Sequence, residues 1–386
     1  MSENARYRLL QGGYWMLFCA GYGYVTVYLL DWGYAAAQIG AVTAVFGLLA
    51  ALGQPVLGKI ADRGGRWGWK PLLLLLAGLC LAAAAALLLC PAALKWLFYG
   101  LFLLLISSMM PLINAASFYY AGRGVAVDFG TARGIGSLSY AVLSLILGQA
   151  AARLGTCCIP AAGVLVGALV LCTALRMPYS AAPAAPQAET AKAAAKGGFV
   201  RRYPAFCVML AAGVLMLSFH NITSTYLVQM LEAVGGDSSS LGVAMALAAV
   251  LELPVMFGFS RIIRRWRADT LLAVAGCAYA LKAAVYLAAG SVAAIIAAQL
   301  LQTFSFALYA AASVYYAEAT MAPCDKVTGQ ACISCTITVG AVLGNLLGGW
   351  VLDLAGLRPM LYMAFGLAAA GAALAILAAA VRRRAR

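Results

Sequence analysis

A chain of 386 residues with 65% hydrophobic and 10% charged side chains and a mean hydropathy of +0.94 is not a water-soluble globule, where apolar content lies nearer half and charge about a quarter. Its formal charge of +14, from 26 Lys plus Arg against 12 Asp plus Glu, needs no nucleic acid to explain it. In a membrane protein such an excess marks the loops retained in the cytoplasm. Neither a phosphate-binding G-x-x-x-x-G-K-[ST] loop nor an H-E-x-x-H zinc helix occurs, so an enzyme is not expected, and neither is a cofactor or metal.

Apolar stretches of about 20 residues, each long enough to cross the hydrocarbon core, recur from end to end. They predict an all-α membrane protein with twelve transmembrane helices, at 8–31, 36–61, 70–90, 94–121, 130–153, 157–177, 203–231, 239–262, 269–289, 292–317, 327–352 and 358–381. Met1 to Arg8 is short and polar and no small-residue cleavage site follows the first apolar run, so that run reads as an uncleaved helix. Between the sixth and seventh spans, Pro178, Pro183, Pro186 and the run from Ala191 to Lys196 read as a linker. The expected organisation is a six-helix bundle over 1–177, a cytoplasmic linker over 178–200 and a second six-helix bundle over 201–386. The eleven cysteines lie mostly inside apolar segments and read as small packing residues.

Charge orients the chain. Arg6, Arg8, the Lys59–Lys70 loop, Arg123, Arg133, the Arg176–Arg202 region, Arg261–Arg267, Lys326 and the Arg382–Arg386 tail fall on one side. The other side keeps Lys95, Arg153, Lys282 and Arg358. Both termini are therefore expected in the cytoplasm, in a cell inner membrane, with the basic tail as a headgroup anchor. A faint repeat pairs Val27-Tyr28-Leu29, Ile39-Gly40, Gln54-Pro55, Gly58 and a basic loop with Thr225-Tyr226-Leu227, Leu241-Gly242, Leu253-Pro254, Gly258 and Arg261 to Arg267. The two bundles thus read as pseudo-symmetric halves of a rocking transporter, related by an axis normal to the membrane.

The loop Gly58-Lys59-Ile60-Ala61-Asp62-Arg63-Gly64-Gly65-Arg66 resembles the G-x-x-x-D-R-x-G-R signature that joins the second and third helices of the major facilitator superfamily. The resemblance implies a gating loop of Gly58, Asp62, Arg63 and Arg66. Gly58 would admit a neighbouring helix, Asp62 would meet cytoplasmic helix ends, and the arginines would sit at the headgroups. Three more stretches resemble the lactose-permease-like and phenylpropionate-permease-like branch. They are Asp128-Phe129-Gly130-Thr131-Ala132-Arg133-Gly134 opening the fifth helix, Leu251-Glu252-Leu253-Pro254 in the eighth, and Gln299 to Leu308 with Ala311 to Val314 in the tenth.

Charge inside a bilayer is costly, so each buried ionisable residue is a functional candidate. Of twelve carboxylates only Glu252 lies well inside a span. Its protonation can follow which side of the membrane is open; the alternative is a structural acid paired permanently to a cation. By resemblance Glu252 belongs to the substrate site, Arg133 matches an arginine that binds substrate hydroxyls, and Tyr140 the aromatic that stacks on it. Lys282 matches an arginine position in the proton machinery. Asn114 stands beside Ala115, where the permease carries an acid, and Gln302 and Ser305 replace its tenth-helix His and Glu. A galactoside mechanism therefore does not carry over whole. His220, the lone histidine, reads either as a packing residue or as a proton handler. Tyr14, Tyr22, Tyr24 and Tyr28 either line a cavity or anchor the first helix at interfaces.

The expected function is secondary active transport, proton-coupled symport of a small organic solute (a sugar or glycoside, a nucleoside or an aromatic carboxylate) by alternating access. Proton coupling falls to Glu252, Lys282 and His220; substrate binding falls to Arg133, Tyr140, Asn114 and Gln302. The alternatives are a proton-antiport exporter or facilitated-diffusion carrier and, remotely, a sensor or scaffold. The expected partners are the solute, protons and the lipid bilayer, with a monomer as the working unit.

Overall fold

The computed structural model describes residues 2–62, 67–121, 128–179, 199–322 and 325–384. Among these, the expected twelve spans are all helical and their ends fall within a few residues of the apolar runs. Helix α1 is in three pieces, Glu3–Phe18, a π-helical turn Cys19–Gly23 and Val25–Asp31. Next come α2 (Ala36–Asp62), α3 (Trp69–Leu89), α4 (Lys95–Ala121), α5 (Phe129–Leu154) and α6 (Cys158–Leu175). Helix α7 runs Pro204–Thr225 and resumes as Leu227–Glu232. It is followed by α8 (Ser238–Arg265), α9 (Ala268–Ala288), α10 (Val292–Thr320), α11 (Lys326–Ala355) and α12 (Leu357–Arg384). Eleven of these are long and apolar enough to cross a membrane; α1 is the twelfth, its length divided by the π turn.

The described residues fall into two compact units, one drawn from Met1–Gln187 with Gly236–Val250, the other from Ala188–Gly235 with Leu251–Arg386. The first half of α8 thus clusters with the first unit. In that unit a Cβ on Gly148 of α5 would lie 2.6 Å from the Ser238 carbonyl, and one on Gly242 would be closer still to the Ser144 carbonyl. Glycine is required there because two helix backbones touch, the usual means of packing helices in lipid. Gly344 plays this part in the second unit, where a Cβ would meet the Ser218 carbonyl at 2.5 Å.

The internal repeat is visible in both units, with a register different from the one the sequence suggests. Tyr24 (φ −118°, ψ 13°) and Tyr226 (φ −102°, ψ 19°) break α1 and α7 with nearly the same backbone geometry. Tyr24 donates to the Ser144 carbonyl of α5 at 2.6 Å, and Tyr226 to the Asn345 carbonyl of α11 at 2.7 Å. Tyr226 is therefore the counterpart of Tyr24, not of Tyr28; the string of tyrosines in α1 disguised the pairing.

The α1 tyrosines divide differently from expectation. Tyr14, Tyr24 and Tyr28 are almost wholly buried, and each hydroxyl is tied to another helix: to Met110 Sδ at 3.3 Å, the Ser144 carbonyl, and the Leu87 carbonyl at 3.0 Å. Those three are internal struts, because a buried phenol must find an acceptor. Only Tyr22 remains half-buried.

Three further expectations change. A Cβ at Gly58 would meet nothing described within 4 Å, so no described helix crowds that glycine. The side chain of Asp62 and residues 63–66 lie outside the described residues. Arg382 is not a free headgroup anchor: 13% exposed, it reaches the buried Asp269 at 4.0 Å, donates to the Ala319 carbonyl at 2.7 Å and covers Tyr316. Arg267 holds the same carboxylate in a fork, at 3.0 and 2.6 Å. A buried acid demands such company. At the start of α11, Asp325 likewise takes Arg202 at 2.5 Å and the Tyr203 hydroxyl at 2.8 Å.

Lys95, read as one of the few outer-side cations, is 2% exposed. Its ammonium donates to the Leu87 carbonyl at 2.7 Å and to Tyr28 at 3.1 Å, and lies 3.8 Å over the Trp32 ring. It joins the ends of α1, α3 and α4. Lys95→Met keeps the stem but loses the cation–π contact and both hydrogen bonds, so a loss of about 2 kcal/mol is expected. Thermal unfolding of the variant in detergent measures this, and a midpoint equal to wild type would show that the buried ammonium contributes nothing.

Candidate functional site

In the second unit the site is made by a distortion of α10. The helix begins as Val292–Ala297, tightens into a 3₁₀ stretch at Ala298–Gln302, widens into a π turn at Thr303–Ala307 and resumes at Leu308. Side chains three apart eclipse in a 3₁₀ helix, so Gln299 and Gln302 stand one above the other. Both carboxamide oxygens accept from Lys282 of α9, at 3.0 and 2.7 Å. Lys282, Gln299 and Gln302 are each at most 4% exposed; a desolvated ammonium is tolerated because these acceptors replace its water. Gln302 then donates from Nε2 to Glu252 Oε1 of α8 at 3.1 Å, and Gln299 donates to the Tyr286 hydroxyl at 2.8 Å. The π turn is fastened to α8 by Thr303 Oγ1, which donates to the Leu251 carbonyl at 2.8 Å, next to Glu252.

The orientation of Gln302 follows from its neighbours. Lys282 can only donate and an ionised carboxylate can only accept, so the amide must turn oxygen to one and nitrogen to the other. One neutral side chain therefore links the buried cation to the mid-span acid, and what it can do depends on whether Glu252 carries a proton.

His220 on α7 stacks on Phe306 from the π turn, with centroids 4.4 Å apart and planes 12° from parallel, and meets Tyr279 edge-on at 6.3 Å. Tyr279 is fully buried and its hydroxyl has no partner among the described residues. It lies one turn before Lys282 on α9.

In the first unit Arg133 donates to Ser137 at 2.7 Å, and its guanidinium lies 3.8 Å over the indole of Trp15. Gly136 makes room for that indole, since a Cβ there would strike the ring. Trp15, Phe18 and Tyr22 follow at helical spacing as a ladder of half-buried rings, 5.3 and 4.7 Å apart between neighbours. Tyr22 is pinned by Ser107 Oγ at 2.7 Å, and Gln54 donates to the Ser107 carbonyl at 3.0 Å. Tyr140, two turns beyond Arg133, is half-buried against Ala141, Ala246 and Ala249. Asn114 is half-buried on α4, with its carbonyl taking the Ser117 hydroxyl at 2.7 Å.

Glu252, Gln302 and Lys282 thus form one hydrogen-bonded array. His220 stands among rings beside it. Arg133 meets Ser137 of its own helix and Trp15 of α1. Gln299, Tyr286, Tyr279, Trp15 and Phe18 were not singled out from sequence as site residues, whereas Tyr22 was named as a cavity-lining or anchoring tyrosine. The i, i+3, i+7 spacing of the three rings was the available signal; nothing in the sequence announces the unpartnered hydroxyl of Tyr279.

The profile of the MFS_1 like family matches residues 7–363. The chain belongs to that family. No curated protein matches it significantly. The fold is shared with solved transporters. A point mutant of the nucleoside transporter NupG superposes with TM-score 0.84 at 14% identity, covering 98% of this chain and 99% of that one. NupG without the mutation gives 0.79 at 16%, with the same coverage. An auto-inhibited POT family peptide transporter gives 0.73 at 15%, covering 99% and 97%. As an MFS_1-like protein, the chain is a multi-pass membrane transporter, and the major facilitator fold expected from the Gly58–Arg66 loop is the one it adopts.

Proposed function

We propose that this transporter is a proton-coupled symporter of a small organic solute, working by alternating access in the inner membrane with both termini cytoplasmic. The observation that carries the reading is the buried Glu252–Gln302–Lys282 array. A carrier that only diffuses its solute has no use for an acid and a base held in the hydrocarbon at such cost. Glu252 exchanges the proton; Lys282 is the counter-charge, and Gln302 reports the state of one to the other. His220 is a secondary proton-handling candidate. Solute recognition falls to the first unit, with Arg133 as the charged donor and Tyr140 and Asn114 as further contacts. The rings at Trp15, Phe18 and Tyr22 favour a solute with a planar face, and the fold shared with a nucleoside transporter puts nucleosides first among solutes to try, with aromatic carboxylates and glycosides next. The working unit in this reading is a monomer.

Uptake into proteoliposomes with an imposed inward proton gradient tests the reading. At least one solute class is expected to accumulate above its outside concentration, and collapse of the gradient with an ionophore is expected to stop it. Accumulation that persists without the gradient would show that another ion or an exchange partner drives transport.

A further inference from the structure

A groove lies on the side of the first unit where α1 meets α5 and α6, apart from the Glu252 array. With a volume of about 360 Å³, it runs along Ala5, Leu9, Gly12, Gly13 and Met16 of α1, with Ile135 and Ser139 of α5 and Leu169 of α6 forming its other wall. From Ala5 to Met16 an α-helix rises about 16 Å, roughly half the thickness of the hydrocarbon core. Two adjacent glycines of α1 line it where that helix packs close against α5 and α6. A Cβ on Gly12 would come within 3.0 Å of Ser139, and one on Gly13 within 3.0 Å of Val170. Leu9 and Leu169 are 38% and 37% exposed on its rim, as expected of a surface that meets hydrocarbon.

The groove is apolar along its length and charged at one end only, where Arg8 enters its lining. Arg8 Nε is buried and has no hydrogen-bond partner among the described residues. Nε itself is covered by protein, but the side chain as a whole is 37% exposed, so the rest of the guanidinium can meet an anion arriving at that end. The nearest acid does not supply it. Asp128 Oδ2 stands 4.0 Å from Arg8 Nη2, too far for a hydrogen bond, and that carboxylate caps α5 through the Thr131 amide and hydroxyl. Those two bonds, the hydroxyl first, hold the Asp128 carboxyl below its ordinary value, with a smaller contribution from the Arg8 charge, so its main commitment is to the helix.

We propose that this groove is a binding site for an anionic phospholipid, with the phosphate on Arg8 and one acyl chain laid along Gly12 and Gly13. The groove has the proportions of a single chain, its charged end is complementary to a phosphate, and it is built from α1, α5 and α6, separate from the Glu252 array.

The test uses the full-length purified protein in detergent, titrated with phosphatidylglycerol or phosphatidylcholine of matched chains, with binding read by native mass spectrometry and by thermal shift. Wild type is expected to prefer phosphatidylglycerol. Arg8→Gln should lose about fivefold of that affinity, the equivalent of about 1 kcal/mol per basic residue at a headgroup, while binding phosphatidylcholine as before. Asp128→Asn, which keeps a capping side chain and removes the acid that stands 4.0 Å from Arg8, should bind phosphatidylglycerol more tightly. Ser139→Phe, which fills the groove, should displace both lipids. Equal affinity for the two lipids would overturn the proposal. So would an equal loss in Arg6→Gln, whose residue does not line the groove, since the attraction would then be diffuse. Transport by Arg8→Gln is a separate reading and does not enter the outcome.

Discussion

Glu252→Gln is expected to abolish uphill accumulation driven by a proton gradient while leaving downhill exchange measurable. The substitution keeps the shape of the side chain and its ability to accept from Gln302 Nε2, which lies 3.1 Å from the native carboxylate. It removes the one property that matters, the capacity to gain and lose a proton inside the span. The array then has a single charge state, with Lys282 uncompensated, and nothing ties its conformation to the proton gradient. Linked sites ordinarily couple by about 1–3 kcal/mol, which is enough to order a cycle and is lost whole when one partner stops titrating. Counterflow of labelled solute should persist, since it needs only reorientation of the loaded carrier. The measurement is a paired assay of accumulation and counterflow in the same vesicles. If the variant still concentrates solute under an imposed proton gradient, Glu252 is structural and the proton passes elsewhere, with His220 the next residue to substitute.

The second large effect is expected at Arg133. Arg133→Gln should weaken solute binding at least tenfold, about 1.4 kcal/mol, without unfolding the protein. Among the contacts it gives up are a hydrogen bond to Ser137 one turn along the same helix and the face of Trp15, these two together worth about 2 kcal/mol. A guanidinium presents its donors in a fixed fork, and a bidentate, charge-assisted contact to a solute is worth more than either. Tyr140→Ala should lose affinity less steeply, and Tyr140→Phe little, if the ring and not the hydroxyl is what the solute meets. Equilibrium binding on the purified protein separates these outcomes from folding defects. Unchanged affinity in Arg133→Gln would place recognition outside α5 altogether.

The membrane-spanning architecture is legible in sequence because the bilayer imposes it: an apolar run of the right length has few alternatives to a helix. The family loop is equally plain. What escapes is pairing. Lys95 with Tyr28, Arg382 with Asp269 and Tyr24 with Ser144 join residues 67, 113 and 120 positions apart, and hydropathy carries no record of which polar side chain meets which. Glu252, Lys282 and Gln302 could be named individually because polar groups in a span stand out. That Gln302 is the link between the other two depends on a local change of helical winding, which composition does not encode. Gly58 shows the opposite error. A motif glycine invites a packing explanation, yet the described atoms leave its surroundings open, and of the glycines that do hold helices together, Gly148 and Gly344 belong to no motif and Gly242 only to the faint repeat.

The winding of α10 has a mechanical side. A 3₁₀ stretch turns about 120° per residue where an α-helix turns about 100°, so Ala298–Gln302 is overwound, and the π turn that follows at Thr303–Ala307 is underwound. The two errors lie end to end and oppose each other, which leaves the halves of the helix on either side almost in phase. A torsion bar with equal and opposite twists can let the boundary between them travel without disturbing its ends. Each residue that crosses from tight to ordinary winding rotates Gln302 by about 20° relative to Lys282 and Glu252. The link between cation and acid is thus mounted at the junction of the overwound and underwound stretches of its helix.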